Sequence, residues 1–389
     1  MVSRISGSQQ ALHRGNRAAL LDAIHKFGAL TQIELAEKTG LSTGSVSNLV
    51  HQMVDDNILE TEATIRNGRR ATLVTYARQD GVSAGLSIDK RGVTINVINN
   101  HNEVLAEHTL PLQLGHKSDA VIQRCLMLIS ETMDRIGASV SELLSIGIAV
   151  NAPVNARTHE IALAGILRGW ENVNIGAPFE EAFHVPTFVN NDANMSAIAE
   201  ANVGVGVGHR NFIYILAGDG VGSGIIINGH LWTGVTGLAG EIGHVQVDPL
   251  GSICSCGNRG CLNTVVDEDR LVSLLSVTHG DMTLDDLIVE AVAGDPGCRR
   301  VIADSAIRVG SVVSGLCIGM DPEIVIVGGK LSMSNEIFID PFQESLRRLL
   351  FPDVVVPIQV LQADHPVTGG ALGAAIFAMG KVNSFIPAM

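Results

Sequence analysis

Four side chains that could bind a metal ion lie close together in the middle of the chain. Three of the six cysteines, Cys254, Cys256 and Cys261, fall within eight residues, and His244 precedes the first of them by ten. One imidazole and three thiolates make the closed tetrahedral shell that is typical of structural zinc. Because the N-terminal segment has no apolar run for export, we expect a cytoplasmic protein, in which such a cluster favours metal over disulfides. Three free thiols in a loop are the alternative.

Two further segments carry polar groups that could bind hydroxyl groups. Asp192 lies in the sequence Asn-Asn-Asp-Ala-Asn, directly after a predicted strand at 187–189. A carboxylate between amides can hydrogen-bond several hydroxyls or take a proton from one. Glu241 lies one turn before His244. If zinc binds one imidazole nitrogen of His244, the other nitrogen becomes an N–H donor of fixed direction near Glu241, and the two side chains would form one polar wall of the ligand site. An ordinary polar turn is the alternative for the Asp192 segment.

The elements that must position these groups belong to a body of strands and helices, residues 80–389. A strand–turn–strand unit occurs in each half, the second one around Gly218–Ser223. Two such halves predict an α/β body with two lobes, residues 80–190 with the C-terminal helix and residues 191–365, with a ligand cleft between them. The predicted strands are 83–89, 93–99, 104–111, 144–150, 187–189, 212–217, 224–227 and 323–327, and the predicted helices are 117–136, 299–318 and 369–379.

Residues 1–79 differ from the body in charge. This head has nine Lys/Arg and seven Asp/Glu, whereas the whole chain has a formal net charge of −14. An acidic protein normally repels nucleic acid, so a mildly basic head on an acidic body indicates two separate tasks. No apolar run approaches the roughly 18–20 residues of a membrane span, so no membrane partner is expected.

The head has the pattern of a winged helix-turn-helix. Two helices are joined by a turn at Gly40, and apolar residues at helical spacing line one face of the second. Its other face carries short polar side chains that could reach phosphates and base edges. Asn67-Gly68 favours a hairpin turn between strands at 58–61 and 72–76, with arginines at its tip that suit phosphates and narrow minor grooves. A small helical interaction module with a basic loop is the alternative. The expected DNA contacts are Thr43, Ser45, Ser47, Asn48, Arg66, Arg69 and Arg70.

Together these motifs resemble the ROK family (repressors, open reading frames and kinases) over essentially the whole chain. The most specific marks are Asn-Asp-Ala-Asn at 191–194, Glu-Ile-Gly-His at 241–244 and Cys-x-Cys-Gly-x-x-Gly-Cys at 254–261. The resemblance implies an actin-like, hexokinase-type body with ribonuclease H-like halves that binds a sugar between its lobes, and a homodimer or homotetramer. It implies zinc in the loop 244–261. The implied sugar contacts are Asn191, Asp192, Glu241 and His244, and the implied zinc ligands are His244, Cys254, Cys256 and Cys261.

Both nucleotide-binding loops depart from the kinases of this family. Their first loop reads Asp-x-Gly-Gly-Thr, whereas this chain has Asp89-Lys90-Arg91-Gly92-Val93, with bulky side chains where backbone would approach phosphate. Their second loop reads Gly-Thr-Gly, whereas Asp219 stands in the middle here and would face a triphosphate. We therefore expect no kinase activity. If the chain were an ATP-dependent sugar kinase, Asp192 would be its general base.

The sugar side also departs from the family. Ile166 stands where an amide often meets the sugar, and Asn263, which we retain as a sugar contact, replaces a glutamate. Such exchanges change ligand choice, although Ile166 could equally serve packing alone. The sequence thus predicts a transcriptional repressor of carbohydrate genes whose operator affinity is changed by a sugar or sugar phosphate. The alternatives are a sugar kinase and a DNA-binding protein with a decayed sugar pocket.

Overall fold

The computed structural model describes residues 6–56, 58–66, 69–77, 81–113, 115–155, 158, 160–162, 166–167, 169–170, 173–351 and 358–384. The chain divides into two compact units. The first comprises Met1–Asp80 and Gly380–Met389, and the second comprises Gly81–Met379. Each unit has a hydrophobic core of its own.

The head contains three helices and a small antiparallel sheet. A capping box begins its second helix, where Thr31 and Glu34 each bind the other's backbone N–H through their side chains. Gly40 ends that helix in the left-handed conformation, with φ of 70°, and the Ser42 side chain caps the next helix by accepting from the Ser45 N–H. The order of the sheet is β1-β3-β2. The elements are α1 (Ser6–Phe27), β1 (Leu30–Thr31), α2 (Gln32–Thr39), α3 (Thr43–Asp55), β2 (Leu59–Arg66) and β3 (Arg69–Tyr76).

The two wing strands are longer than the sequence predicts. β2 and β3 pair antiparallel from Leu59 opposite Tyr76 to Arg66 opposite Arg69. Charged and polar residues lower the intrinsic strand propensity of 62–66 and 69–71, but cross-strand pairing overrides that weak preference. The predicted turn, Asn67-Gly68, and the side chains of the three wing arginines lie outside the described residues.

The first sheet of the body has five strands in the order β6-β5-β4-β7-β8. Its first three strands form an antiparallel meander, and the last two run parallel to the first. Buried side chains of α4 pack on this sheet. The elements are β4 (Val82–Ile88), β5 (Gly92–Asn99), β6 (Val104–Pro111), α4 (Ser118–Arg135), β7 (Leu143–Val150), α5 (Ala177–Phe183) and β8 (Thr187–Asn191).

The second sheet repeats the strand order of the first. It reads β11-β10-β9-β12-β13, again an antiparallel meander followed by two parallel strands. This duplication confirms the α/β, actin-like fold that the sequence predicts. The elements are α6 (Asp192–Val203), β9 (Phe212–Ala217), β10 (Val221–Ile227), β11 (His230–Leu231), α7 (Asn263–Val266), α8 (Glu268–Ser273), α9 (Ser276–His279), α10 (Leu284–Ala293), α11 (Pro296–Met320), β12 (Ile324–Gly328), α12 (Glu336–Leu349), β13 (Gln359–Gln362) and α13 (Gly369–Ser384).

Glycines allow two helices to lie directly on strand backbones. A Cβ at Gly85 in β4 would overlap the Ala371 carbonyl oxygen of α13, and one at Gly147 in β7 would overlap that of Ala374. A Cβ at Gly224 in β10 would lie 2.5 Å from the carbonyl oxygen of Ala193 in α6. These contacts hold α13 against the first sheet and α6 against the second.

Within the described residues one helix, α11, is long and apolar enough to cross a membrane by length and composition. Its buried residues, among them Ile302, Val309 and Val313, belong to the core cluster of the second sheet. We therefore interpret α11 as a core helix of the body.

Candidate functional site

The four potential metal ligands of the sequence come together at one point. The Nδ1 atom of His244 lies 3.5 Å from the Cys254 sulfur, and the sulfurs of Cys256 and Cys261 are 3.7 Å apart. All four ligand atoms lie within 4.8 Å of one another. A tetrahedral ion with Zn–S and Zn–N bonds of usual length would separate its ligands by about 3.5–3.8 Å. The donor set and its spacing therefore fit a metal ion.

Tight backbone turns aim these ligands inward. His244 ends a short 3-10 turn, Ile242–His244, and Cys261 directly precedes the residues that begin α7. Gly260 has a φ of +67°, and a Cβ there would overlap the Asp248 carbonyl oxygen. Because only glycine fits this combination of φ and space, the loop can bring Cys261 back toward His244. Burial lowers the pKa of His244, which keeps its imidazole neutral and able to ligate.

Asp192 lies at the start of α6, where β8 ends. Its Oδ2 accepts from the side-chain amide of Asn151 at 2.9 Å, and its Oδ1 accepts from the Ala193 N–H at 2.8 Å. Burial raises the pKa of Asp192 to about 7, and the nearby charge of Asp89 raises it too, against the effect of the hydrogen bonds. Asn151, which the sequence analysis does not single out, follows β7 just as Asp192 follows β8. Its position at a strand end is the signal that could have identified it.

A second carboxyl group, that of Glu241, lies near enough to Asp192 to be affected by its charge. Burial first, and then the charge of Asp192, raise the pKa of Glu241 to about 8. Near neutral pH the two groups therefore keep at least one proton between them, so the pair can donate as well as accept hydrogen bonds.

The side chains of two predicted sugar contacts form hydrogen bonds with backbone groups. The Asn191 side chain caps α6 by accepting from the N–H groups of Ala193 and Asn194, and it donates to the Ala152 carbonyl at 3.3 Å. Asn263 accepts from the Val221 N–H at 2.8 Å and thereby holds the start of β10. Both side chains thus have a positioning task in the body.

Consecutive residues of the turn after β4, Asp89 and Lys90, line two different cavities. One of about 80 Å³ is lined by Asp89, Asn151, Asp192, Asp219 and Lys330 among others. The other, of about 790 Å³, is lined by Lys90, His116, Ile166, Cys254, Asn263 and Arg270 among others. Of the sequence-predicted site residues, Asp192 thus borders the small cavity, whereas Cys254 and Asn263 border the large one.

An ion pair connects the first departing nucleotide loop to α8, and Asp219 of the second loop interacts with the same glutamate. The Asp89 carboxylate accepts from the N–H groups of Arg91 and Gly92, each at 2.7 Å, which tightens the first loop. The Arg91 guanidinium then binds both oxygens of Glu268 in α8, at 2.9 and 2.7 Å. Burial and a hydrogen bond to Glu268 raise the pKa of Asp219 to about 7. The protonated Asp219 carboxyl can donate a hydrogen bond to Glu268, so the three side chains form one network.

The polar face of α3 lies opposite its buried stripe. Val46, Leu49, Val50 and Met53 are buried in the head core. Thr43 and Asn48 are exposed, and Ser45 and Ser47 are half-buried. The head thus has a helix surface free of large apolar groups, which suits a groove of DNA.

Comparisons with known proteins cover both units. A model of the ROK family matches residues 84–381, and one of the MarR family matches residues 14–70. The xylose repressor of Bacillus subtilis is 25% identical over 372 residues, 94% of this chain and 95% of that one. The transcriptional dual regulator NagC of Escherichia coli is 25% identical over 388 residues, 96% and 95% of the two chains.

Solved structures of ROK family proteins are also similar to this chain. A ROK family glucokinase from Streptomyces griseus, in complex with glucose and AMPPNP, matches with a TM-score of 0.69 and 26% identity, over 77% of this chain and 100% of that one. A ROK family transcriptional regulator, a homologue of the E. coli MLC protein, has the same fold over 96% of this chain and 97% of its own, with a TM-score of 0.74 and 21% identity. The resemblance that the motifs indicate is confirmed: this chain belongs to the ROK family.

Proposed function

We propose that this protein is a DNA-binding transcriptional repressor of carbohydrate genes, whose affinity for its operator changes when a sugar or sugar derivative binds the body. The similarity to proteins named as xylose and N-acetylglucosamine repressors carries this proposal, because it extends over 89–96% of the chain and includes the head. The work of such a protein is done in the cytoplasm, where its operator is.

The sugar would be recognised by the polar groups around Asp192. The carboxyls of Asp192 and Glu241 retain a proton near neutral pH, so they can both donate to and accept from hydroxyl groups. Asn151 fixes the direction of the Asp192 carboxyl through its 2.9 Å hydrogen bond. The large cavity, lined by Lys90 next to Asp89 in the chain and by Cys254, would offer room for substituents of the sugar.

The ion at the His244 cluster would be structural zinc. It would be held by His244 Nδ1 and the sulfurs of Cys254, Cys256 and Cys261, a shell with no open position. When bound, zinc supplies rigidity to the loop 244–261. The Nε2 atom of His244 is then left as an N–H donor of fixed direction, available to a sugar hydroxyl.

The head would bind operator DNA through α3 and the wing. Thr43, Ser45, Ser47 and Asn48 would face the major groove, and Arg66, Arg69 and Arg70 would contact phosphates or the minor groove. Because operators of helix-turn-helix proteins are read as two half-sites, we infer that the protein acts as a homodimer or homotetramer.

The ion pair of Arg91 and Glu268 supports the proposal that the protein has no kinase activity. The Arg91 side chain lies in the loop that approaches phosphate in the kinases, and it is engaged by Glu268, whose side chain is only 5% exposed. A nucleotide would also meet the carboxylate of Asp89, which lines the small cavity. Two like charges about 4 Å apart in water repel each other by about 1 kcal/mol.

The experiment is a titration of sugars against the complex of the full-length protein with the DNA upstream of its own gene. The probes are D-xylose, N-acetylglucosamine, its 6-phosphate and D-glucose. We expect at least one to change DNA affinity by about 5–150-fold, the usual range of allosteric coupling. Asp192→Asn should bind the DNA equally well and lose the response. If no probe changes either the DNA affinity or the melting temperature, the proposal that a sugar regulates the protein is contradicted, and a DNA-binding protein with a decayed sugar pocket is favoured.

A sugar kinase is the second candidate, because Asp192 is present and the glucokinase from Streptomyces griseus is 26% identical. An ADP-release assay with ATP and the same sugars distinguishes the two. Turnover at ordinary enzyme rates, about 1–1000 per second, that is lost in Asp192→Asn would establish the kinase instead.

A further inference from the structure

Outside the His244 cluster, three side chains of different chemistry converge where α9 ends and α11 begins. His279 is the last residue of α9, Asp295 is the N-cap of α11, and Cys298 lies in its first turn. One potential ligand atom from each lies within 4.8 Å of the other two. No step of the proposed function uses them.

The distance between His279 and Asp295 is that of two metal ligands, whereas the Cys298 sulfur lies about 0.3 Å farther from His279 than a bound ion would place it. The Nε2 atom of His279 lies 3.3 Å from Asp295 Oδ2 and 3.9 Å from the Cys298 sulfur. Bonds of usual length to a tetrahedral zinc ion would place such pairs about 3.3–3.6 Å apart. The His244 cluster has comparable values of 3.5 and 3.7 Å.

Neighbouring groups fix the direction of the imidazole. The Thr278 hydroxyl donates to the Leu275 carbonyl at 3.1 Å, and its oxygen lies 2.8 Å from His279 Nδ1. Since the single hydroxyl hydrogen is used, the oxygen accepts from His279, and we assign the proton to Nδ1. With this proton on Nδ1, Nε2 is the ring atom that can bind a cation placed between it and Asp295 Oδ2.

The other two ligands are also held in place. Asp295 Oδ1 accepts from the Cys298 N–H at 2.8 Å as the cap of α11, which leaves Oδ2 for other partners. The Cys298 side chain is fully buried, whereas the side chains of His279 and Asp295 are each about one-quarter exposed. An ion here would be reached from solvent on one side and would keep an open position for water.

From this geometry we propose that His279, Asp295 and Cys298 form a second metal site, selective for a borderline divalent ion such as Zn²⁺ or Co²⁺. One nitrogen, one carboxylate oxygen and one sulfur suit such ions and disfavour Mg²⁺ and Ca²⁺, which take oxygen ligands. With three protein ligands the ion exchanges more readily than one in the four-ligand loop. It joins the end of α9 to the start of α11 and closes the segment that contains α10.

The test is a Co²⁺ titration of the metal-free, full-length protein under reducing conditions, followed by visible absorption and by metal analysis after gel filtration. We expect two ions per chain in the wild type and one in His279→Gln and in Cys298→Ala. Cys256→Ser should lose the other ion, and the double variant Cys256→Ser/His279→Gln should bind none. Cys317→Ala, which removes a buried thiol of α11 outside the cluster, should still bind two.

A single ion in the wild type that is retained in His279→Gln overturns the proposal, as does a second ion that persists in His279→Gln. Binding of the second ion only at millimolar Co²⁺ also overturns it, because exposed histidines bind metals adventitiously at that level. His279 is partly exposed, so its variant tests the site even if Cys298→Ala does not fold. Mg²⁺ in place of Co²⁺ should leave the melting temperature unchanged, whereas Co²⁺ should raise it in the wild type more than in His279→Gln.

Discussion

The carboxyl groups of Asp192 and Glu241, the predicted sugar contacts, differ in their environment from ordinary surface acids. Asp192 is half-buried at the wall of the small cavity and lies near the charge of Asp89, while Asn151 and the Ala193 N–H stabilise its ionised form only in part. Glu241 adds a second group that resists ionisation beside the first. A pair of this kind can present a donor and an acceptor to neighbouring sugar hydroxyls, which a pair of ionised carboxylates cannot do.

The raised pKa of Asp192 predicts a pH dependence of stability. Its pKa of about 7 in the folded protein lies above the value of 3.8 expected for an exposed aspartate. The folded state therefore binds the proton more tightly, and this contribution is fully present below about pH 4 and is lost as pH rises through 7. We expect the free energy of unfolding of Asp192→Asn to fall less than that of the wild type between about pH 5 and pH 8.

Chemical denaturation at several pH values measures this difference. Asp340→Asn, at an exposed position of α12, is the control and should follow the wild-type curve. Parallel curves for the wild type and Asp192→Asn would mean that Asp192 ionises in the folded protein as it does in the unfolded chain.

Residue types alone could not distinguish ligand contacts from positioning groups. The motif around Asp192 was sufficient to predict a polar site, and the spacing of His244 and the cysteines was sufficient to predict a metal cluster. The sequence could not reveal that Asn191 and Asn263 bind backbone groups, because an amide side chain serves either purpose. Arg91 and Glu268 are 177 residues apart, so their ion pair depends on the tertiary fold.

At the scale of elements, most strands of the body were predictable and many helices were not. Eight of its ten described strands follow from their apolar runs, whereas β11 and β13 are not predicted. The helices α4, α11 and α13 follow from length and periodicity, but α5, α6 and α12 are not predicted. The four short helices α7–α10 are not predicted, because segments of four to ten residues are stabilised mainly by tertiary contacts. Glu268 illustrates this dependence: it begins α8 and its carboxylate accepts from the Leu284 N–H at the start of α10.

From the ion pair between the first loop and α8 we predict a loss of stability when Arg91 is removed. Arg91→Ala leaves the buried Glu268 carboxylate without its main partner, so we expect unfolding free energy to fall by about 1.5–3 kcal/mol. Combination with Glu268→Gln should cost less than the sum of the two single variants, as measured by a double-mutant cycle in urea. Arg300→Ala removes an exposed pair with Asp304 and should cost only about 0–1 kcal/mol. Equal effects of the two arginine variants would show that the Arg91 pair contributes no more than a surface contact.

For the wing we predict that its arginines contribute to DNA binding. Arg69→Ala with Arg70→Ala should weaken binding to all DNA sequences, because phosphate contacts do not depend on base identity. The plot of log affinity against log salt should become shallower by about 0.9 per lost contact, or about two in total. Arg300→Ala in the body is the matched control, since it also removes a positive charge. An unchanged salt slope in the wing variant would exclude these arginines from the interface.

At the scale of the whole molecule, one chain contains a ROK body and a MarR-like head. Coupling between them requires only that the sugar bind one conformation of the protein more tightly than another, by about 1–3 kcal/mol. The loop 244–261 bears on this difference, because His244 belongs both to the metal cluster and to the predicted sugar wall.

Removal of the ion from that loop should therefore affect the sugar response more than DNA binding. In Cys256→Ser one of the four ligands is replaced by a poor one, so we expect loss of zinc by metal analysis and a lower melting temperature. The concentration of sugar that gives half of the DNA response should rise at least tenfold, because His244 is no longer held in one orientation. Affinity for the operator without sugar should stay near the wild-type value, since no ligand of this ion lies in the head.

Cys317→Ala, which removes a buried thiol from α11, should retain both zinc and response. A Cys256→Ser protein that loses zinc but responds normally would separate the metal from sugar recognition, leaving the ion a role in stability alone.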